Sequence, residues 1–189
     1  MLNGISPAQI FTLRFSIAYV LMLCFNHKRL FSDSWKDEAK MMLLGITGGS
    51  LYFLSENEAM NFTTATNTSL IVCSCPLFAT LLVRLVYKDT ARINTIQMLG
   101  SFLAFVGMAI VVLNGRFVLH LAPAGDALAF TACICWAFYS LLMKSASTHY
   151  GAAFITRKVF FYGVLTILPY YLIKPGFPSL TTLTQPVVL

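Results

Sequence analysis

The sequence predicts an all-α membrane protein, a polytopic helical bundle of about six transmembrane helices. Three observations lead there. Apolar residues make up 58% of the 189 and charged residues only 11%, where a soluble domain carries about 25% charged. Apolar runs recur at the length a bilayer core demands, about 20 residues each. Lys and Arg gather in the short connections between those runs, as residues that set membrane orientation do. The formal net charge of +6 therefore reads as orientation, and nucleic acid is not expected as a partner.

Six spans follow in order. The first is Ala8–Phe25. The second, Met41–Asn61, is Gly-rich and the least hydrophobic of the set. The third, Thr66–Tyr87, is interrupted by Pro76, which removes a backbone donor and should kink the helix. The fourth is Ile93–Leu113. The fifth, Gly125–Met143, opens on Gly125-Asp126, where an acidic residue favours the helix dipole. The sixth is Thr156–Ile173.

The connections alternate in charge. Asn26–Lys40 carries Lys28, Arg29, Lys36 and Lys40, whereas the turn at Thr63 carries no cation. The third has Arg84, Lys88 and Arg92 at its edges, the fourth only Arg116, and the fifth Lys144 with Arg157 and Lys158 just beyond. Positively charged loops stay cytoplasmic, so the first span runs from outside to inside. No basic stretch precedes it, so no signal peptide is read.

An internal repeat accompanies the charge pattern. When Ala8–Leu23 is set against Ala152–Ile167, Thr12 matches Thr156, Val20–Leu21 matches Val164–Leu165, and Arg14 faces Lys158. Roughly five spans fit in that offset, and an odd number inverts the second copy, a common transporter plan. The counterpart of Gly125 falls before Met1, and Gln185–Leu189 corresponds to the start of the second span. One helix is therefore expected upstream of Met1 and about three downstream of Leu189. The implied division is 1–116, a first repeat lacking its first helix, and 117–189, the start of a second.

The stretches SPAQIFTLRF (Ser6–Phe15), LYFLSENEAMNFT (Leu51–Thr63) and SLIVCSCPLFATLL (Ser69–Leu82) resemble the EamA family of the drug/metabolite transporter superfamily. PAGDALAF (Pro123–Phe130) and CWAFYSLLMK (Cys135–Lys144) resemble the opening of its second repeat. The resemblance covers nearly the whole chain, as helices two to seven of an inverted five-plus-five helix fold. Lys88-Asp89 departs from the acidic residue the family often has after helix four. The resemblance implies a transporter of small metabolites.

Glu56 is the first candidate for a working group. It is an ionisable residue inside an apolar span, where charge is costly and kept for a cavity, a partner or a proton. Gly45, Gly49, Tyr52, Glu56 and Ala59 recur every three or four residues and should share one helix face. Gly45 and Gly49 permit close helix approach. Glu56 is read as a substrate or proton site, against a structural carboxylate held by a neighbour. Asn57 beside it could bind substrate or a helix. Glu58 lies roughly 200° around the helix from Glu56 and is expected to reach the interface.

Arg14 lies at a depth matching Glu56, so it could pair with Glu56 or bind an anionic substrate. Lys158 is expected to snorkel to the interface. Trp136 and Ser140 share a face with Cys133 and are cavity candidates, against plain packing. Cys24, Cys73, Cys75, Cys133 and Cys135 all lie in apolar runs. Neither C-x-C pair resembles a zinc site, and the reading is small buried apolar residues. Asn61-Phe62-Thr63 and Asn67-Thr68-Ser69 match glycosylation sequons but abut the membrane.

His27, His120 and His149 are scattered, and no phosphate-binding Gly loop is present, so no enzyme and no cofactor is expected. The reading is a secondary transporter of small metabolites in the cytoplasmic membrane, with export the expected direction, working by alternating access. Glu56, Arg14, Asn57, Tyr52, Trp136 and Ser140 are its substrate-binding candidates. The bilayer, a small metabolite and a second copy of the chain are its candidate partners. The rival reading is a non-transporting membrane fragment or helper subunit.

Overall fold

The computed structural model describes residues 6–25, 29–87, 95–113 and 122–173, and these are helices joined by short connections. In chain order they are α1 (Pro7–Phe25), α2 (Trp35–Gly45), a π-helical stretch (Ile46–Ser50), α3 (Leu51–Ala59), α4 (Ala65–Cys73), α5 (Cys75–Val86), α6 (Thr95–Leu113), α7 (Pro123–Ala146) and α8 (Ala152–Ile173). All six spans read from the sequence are helical where described. The connections Lys88–Asn94 and Asn114–Leu121 lie outside the described residues, as does the stretch after Ile173. Four stretches are long and apolar enough to cross a membrane: Pro7–Phe25, Ala65–Val86, Pro123–Ala146 and Ala152–Leu172. Met98–Ile110 is a shorter apolar helix. The chain is an all-α, multi-pass membrane protein whose helices contact lipid.

Local chemistry sets the helix ends. Pro7 opens α1, where a missing N–H leaves no bond unmade. The Ser6 amide donates to Gln9 Oε1 at 2.9 Å and the Gln9 amide to Ser6 Oγ at 3.3 Å, the reciprocal arrangement of a capping box. Ser34 caps α2 by accepting from the Lys36 amide at 3.3 Å, with Asp37 and Glu38 in the first turn. Thr64 caps α4 by accepting from the Asn67 amide at 3.2 Å. The third span breaks at Ser74, between α4 and α5, with Pro76 in the first turn of the new helix. The kink expected from Pro76 is there.

The chain forms two compact units, Met1–Ser50 with His149–Leu189, and Leu51–Thr148. These packing units are interleaved along the chain and do not coincide with the 1–116 and 117–189 division expected from the sequence. In the first unit, α1, α2 and the π-helical stretch all pack on α8. Close approach at Gly49 and Gly163 makes this packing feasible. A Cβ on Gly49 would lie 3.3 Å from the Gly163 Cα, and one on Gly163 would lie 3.0 Å from Phe15 Cδ1. The Thr12 and Tyr171 hydroxyls meet at 2.8 Å, and those of Ser50 and Thr166 at 2.7 Å.

In the second unit, α7 is the hub, packed against α3, α4 and α5, while α6 rests on α4 and α5. The start of α7 is pressed against the α3–α4 turn. A Cβ on Gly125 would sit 2.7 Å from the Thr63 Cβ, so glycine is required there by space. Asp126 accepts from Thr63 Oγ1 at 3.3 Å, Asn67 Nδ2 at 3.2 Å and the Ala122 amide at 3.2 Å. It thereby satisfies a helix start, as the sequence suggests.

The single face predicted for Gly45, Gly49, Tyr52 and Glu56 is divided. Gly45 packs against Tyr162 and Gly163 of α8, in the first unit. Tyr52 and Glu56 belong to α3, which packs on α7 in the second. The π-helical stretch Ile46–Ser50 intervenes. Its wider turn breaks a pattern reckoned at 3.6 residues.

Candidate functional site

Glu56 sits in the middle of α3, partly buried. Tyr52 precedes it by four residues, so their side chains meet on one face, with the Tyr52 hydroxyl beside the Glu56 carboxylate. Tyr52 in turn faces α7, where its ring centroid lies 5.2 Å from that of Trp136 at a tilt of 50°. Tyr139 follows on the same helix, 5.2 Å from Trp136 at 39°. A carboxylate thus stands beside Tyr52, the first of three rings in series, and all four groups are partly exposed.

Behind this cluster is the break in the third span. Ser74 lies 3.6 Å from Cys133 Sγ through its hydroxyl, and the Cys75 and Cys133 thiols hydrogen-bond each other. Cys75, Cys133 and Cys135 are buried as expected, whereas Cys73 is half-buried and Cys24 exposed, and all five are free thiols. Among the described residues no group of three His, Cys, Asp or Glu side chains could hold a metal ion.

The structure therefore gathers Tyr52, Glu56 and Trp136 into one place. Ser140 is one turn beyond Trp136 and donates to its carbonyl at 2.9 Å. Asn57 adjoins Glu56, but its amide donates to the Phe53 carbonyl at 2.7 Å, so its NH2 group is engaged by its own helix. Glu58 accepts from Asn61 Nδ2 at 2.9 Å near the end of α3. Arg14 is exposed on α1 and belongs to the other unit. Tyr139 was not singled out from the sequence. Its signal was an aromatic three residues after Trp136, a spacing that places both on one face.

A second polar cluster occupies the first unit, where sequence reading expected Lys158 to snorkel. Instead Lys158 is 5% exposed and ion-paired to Glu38 of α2. Burial pushes the Glu38 carboxyl up, but hydrogen bonds from Lys158, Tyr162 and the Ser32 amide outweigh it and hold the group down to about 2. Next to Lys158, Arg157 is 2% exposed and donates to the Arg29 carbonyl. The Tyr150 hydroxyl donates to Asp37 at 3.0 Å and accepts from the Asp33 amide at 3.1 Å. The snorkelling expectation fails because α2 packs on α8 and its first turn supplies a carboxylate. Glu38 lay in a connection, outside every span, and so escaped notice.

The EamA-like transporter family matches residues 1–113. The uncharacterized transporter YyaM of Bacillus subtilis (strain 168) is 30% identical over 148 residues, covering 72% of this chain and 46% of that protein. An uncharacterized transporter of Archaeoglobus fulgidus is 26% identical over 187 residues, covering 96% of this chain and 62% of that protein. A second from the same organism is 26% identical over 168 residues. The chain thus spans about half to three fifths of the length of these relatives. No solved structure matches it.

Proposed function

The chain belongs to the EamA-like transporter family, and from that premise we propose that it is the substrate-handling part of a secondary transporter of small metabolites in the cytoplasmic membrane. Export is the direction we assign. The observation that carries this reading is Glu56. A carboxylate in the span read as the second, beside Tyr52, whose ring neighbours Trp136, is a costly group with no structural ion pair among the described residues of its unit. Such a group is retained where it changes partners, by binding a substrate or a proton and releasing it.

The mechanism follows from that exchange. In low dielectric a bare carboxylate is unfavourable, so the occupied state, with substrate or proton bound, is the one that crosses between inward and outward forms. Tyr52 orients the carboxylate by its hydroxyl, while Trp136 and Ser140 line the α7 side. Asn57 and Arg14 are further substrate contacts in this proposal, Arg14 for an anionic group. The 1–116 segment and the start of a second repeat, 117–189, each contribute side chains to the site, which alternating access would expose to one side of the membrane at a time.

The test is flux in vesicles reconstituted with the purified protein. A panel of labelled amines, amino acids and carboxylates is loaded inside, and efflux is followed with and without an imposed proton gradient. Saturable efflux of at least one class above protein-free vesicles is the expected result. Equal efflux from both sets of vesicles for every class contradicts the reading.

A further inference from the structure

We propose that the Glu56 cluster binds the ammonium head of a small organic cation, so that the substrate class is an amine rather than a carboxylate. The inference rests on the transporter reading for its biological role, but on geometry for its chemistry. Three rings, Tyr52, Trp136 and Tyr139, follow one another at centroid spacings of 5.2 Å with tilts of 50° and 39°. All three rings are partly exposed, and a cation placed over an exposed ring face is attracted by the ring quadrupole. Glu56 adds a full negative charge at the Tyr52 end. Tyr52 stands on one side of it, and an ionised carboxylate has room for several hydrogen bonds.

Among the described residues of this unit no cation pairs with Glu56. Arg84 and Lys144 are the Lys and Arg side chains among the described residues of this unit. Arg84 donates to Met98 Sδ at 3.3 Å, and Lys144 sits 4.8 Å over the Tyr87 ring. Both lie in the last turns of their helices. In the other unit, by contrast, Asp33, Asp37 and Glu38 are each ion-paired, with Arg29, Lys40 and Lys158. Asp126 of this unit is satisfied by three hydrogen bonds, whereas Glu56 stands beside Tyr52 at the head of a row of rings. That combination favours an alkylammonium, which is large, weakly hydrated and positively charged. An anionic ligand would meet Glu56 with like charge.

The experiment uses three probes of one shape. Phenethylamine is cationic at neutral pH, 2-phenylethanol is neutral and phenylacetate is anionic. The chain has two Trp, so in Trp35→Phe protein the emission reports on Trp136 alone. Phenethylamine should change it saturably, and the other two probes should bind at least about tenfold more weakly, a difference within reach of one charge contact. Glu56→Gln should weaken phenethylamine by about tenfold or more, and Tyr139→Leu by about threefold to tenfold. Glu56→Asp, which keeps the charge, should retain binding and so separates loss of charge from loss of fold. Equal binding of all three probes, or unchanged phenethylamine binding in Glu56→Gln, overturns the proposal. Flux is read separately. Glu56-dependent flux of carboxylates alone overturns the amine assignment and leaves the transporter reading intact. Phenethylamine binding that obeys the mutants, without flux, sustains the site and counts against transport.

Discussion

Replacing Glu38 with Gln removes the one carboxylate that pairs with the buried Lys158. Two routes give the magnitude. Breaking one side of a buried pair strands the other charge, at a cost of about 3–5 kcal/mol. Independently, the distance between the ordinary value of 4.5 and about 2, at about 1.4 kcal/mol per pH unit, corresponds to about 3 kcal/mol. The routes agree to within a few kcal/mol. The folded-state value lies below the unfolded one, so this stability is in force above about pH 4.5 and drains away as pH falls toward 2. For a chain of this size, 3 kcal/mol amounts to a Tm loss of about 6–12 °C at neutral pH. Thermal unfolding in detergent, followed by helical circular dichroism, measures it, with Glu38→Gln, Lys158→Met and the double variant compared. The double variant should recover much of the loss, because it removes both charges together. A Tm within 2 °C of wild type in Glu38→Gln, or strictly additive losses in the double variant, would refute the reasoning.

Other expectations concern packing and orientation. Gly125→Ala places a methyl 2.7 Å from the Thr63 Cβ and should lose about 1–3 kcal/mol by overpacking, whereas Gly107→Ala meets nothing within 4 Å and should be neutral or gain about 1 kcal/mol from helix propensity; thermal unfolding separates them. On a Cys-free background, an impermeant thiol reagent added to intact cells should label Arg116→Cys and spare Lys36→Cys, and the opposite pattern would reverse the orientation. The Cys75 and Cys133 thiols, in mutual contact, should cross-link on mild oxidation, seen as a gel-mobility shift lost in Cys75→Ser.

Much of the fold is legible in the sequence because membrane spans are written in long apolar runs, and all six runs are helical where described. Pro76 and Gly125-Asp126 also act as read, since each rests on local backbone chemistry. Part of the candidate site is legible for the same reason. Tyr52 and Glu56 are one turn apart, and helical spacing alone places them together. Their meeting with Trp136 was not deducible, because it depends on how α3 docks on α7. The face shared with Gly45 and Gly49 was misjudged because the π-helical stretch breaks the 3.6-residue count. Lys158 was misjudged because its partner, Glu38, is distant in sequence and sits in a polar stretch that carries no periodic signal. Long-range pairing of single polar residues leaves no pattern to read.

The central claim is that Glu56 is the working carboxylate of a transporter. Its most direct test is the initial rate of transport by Glu56→Gln and Glu58→Gln, reconstituted at matched protein content. Glu56→Gln keeps the shape and removes the charge, and it should abolish transport while the protein still inserts and folds. Glu58→Gln should transport at close to the wild-type rate, because Glu58 is engaged by Asn61 near the helix end. Wild-type rates from Glu56→Gln would contradict the account and leave Glu56 a structural residue held by Tyr52.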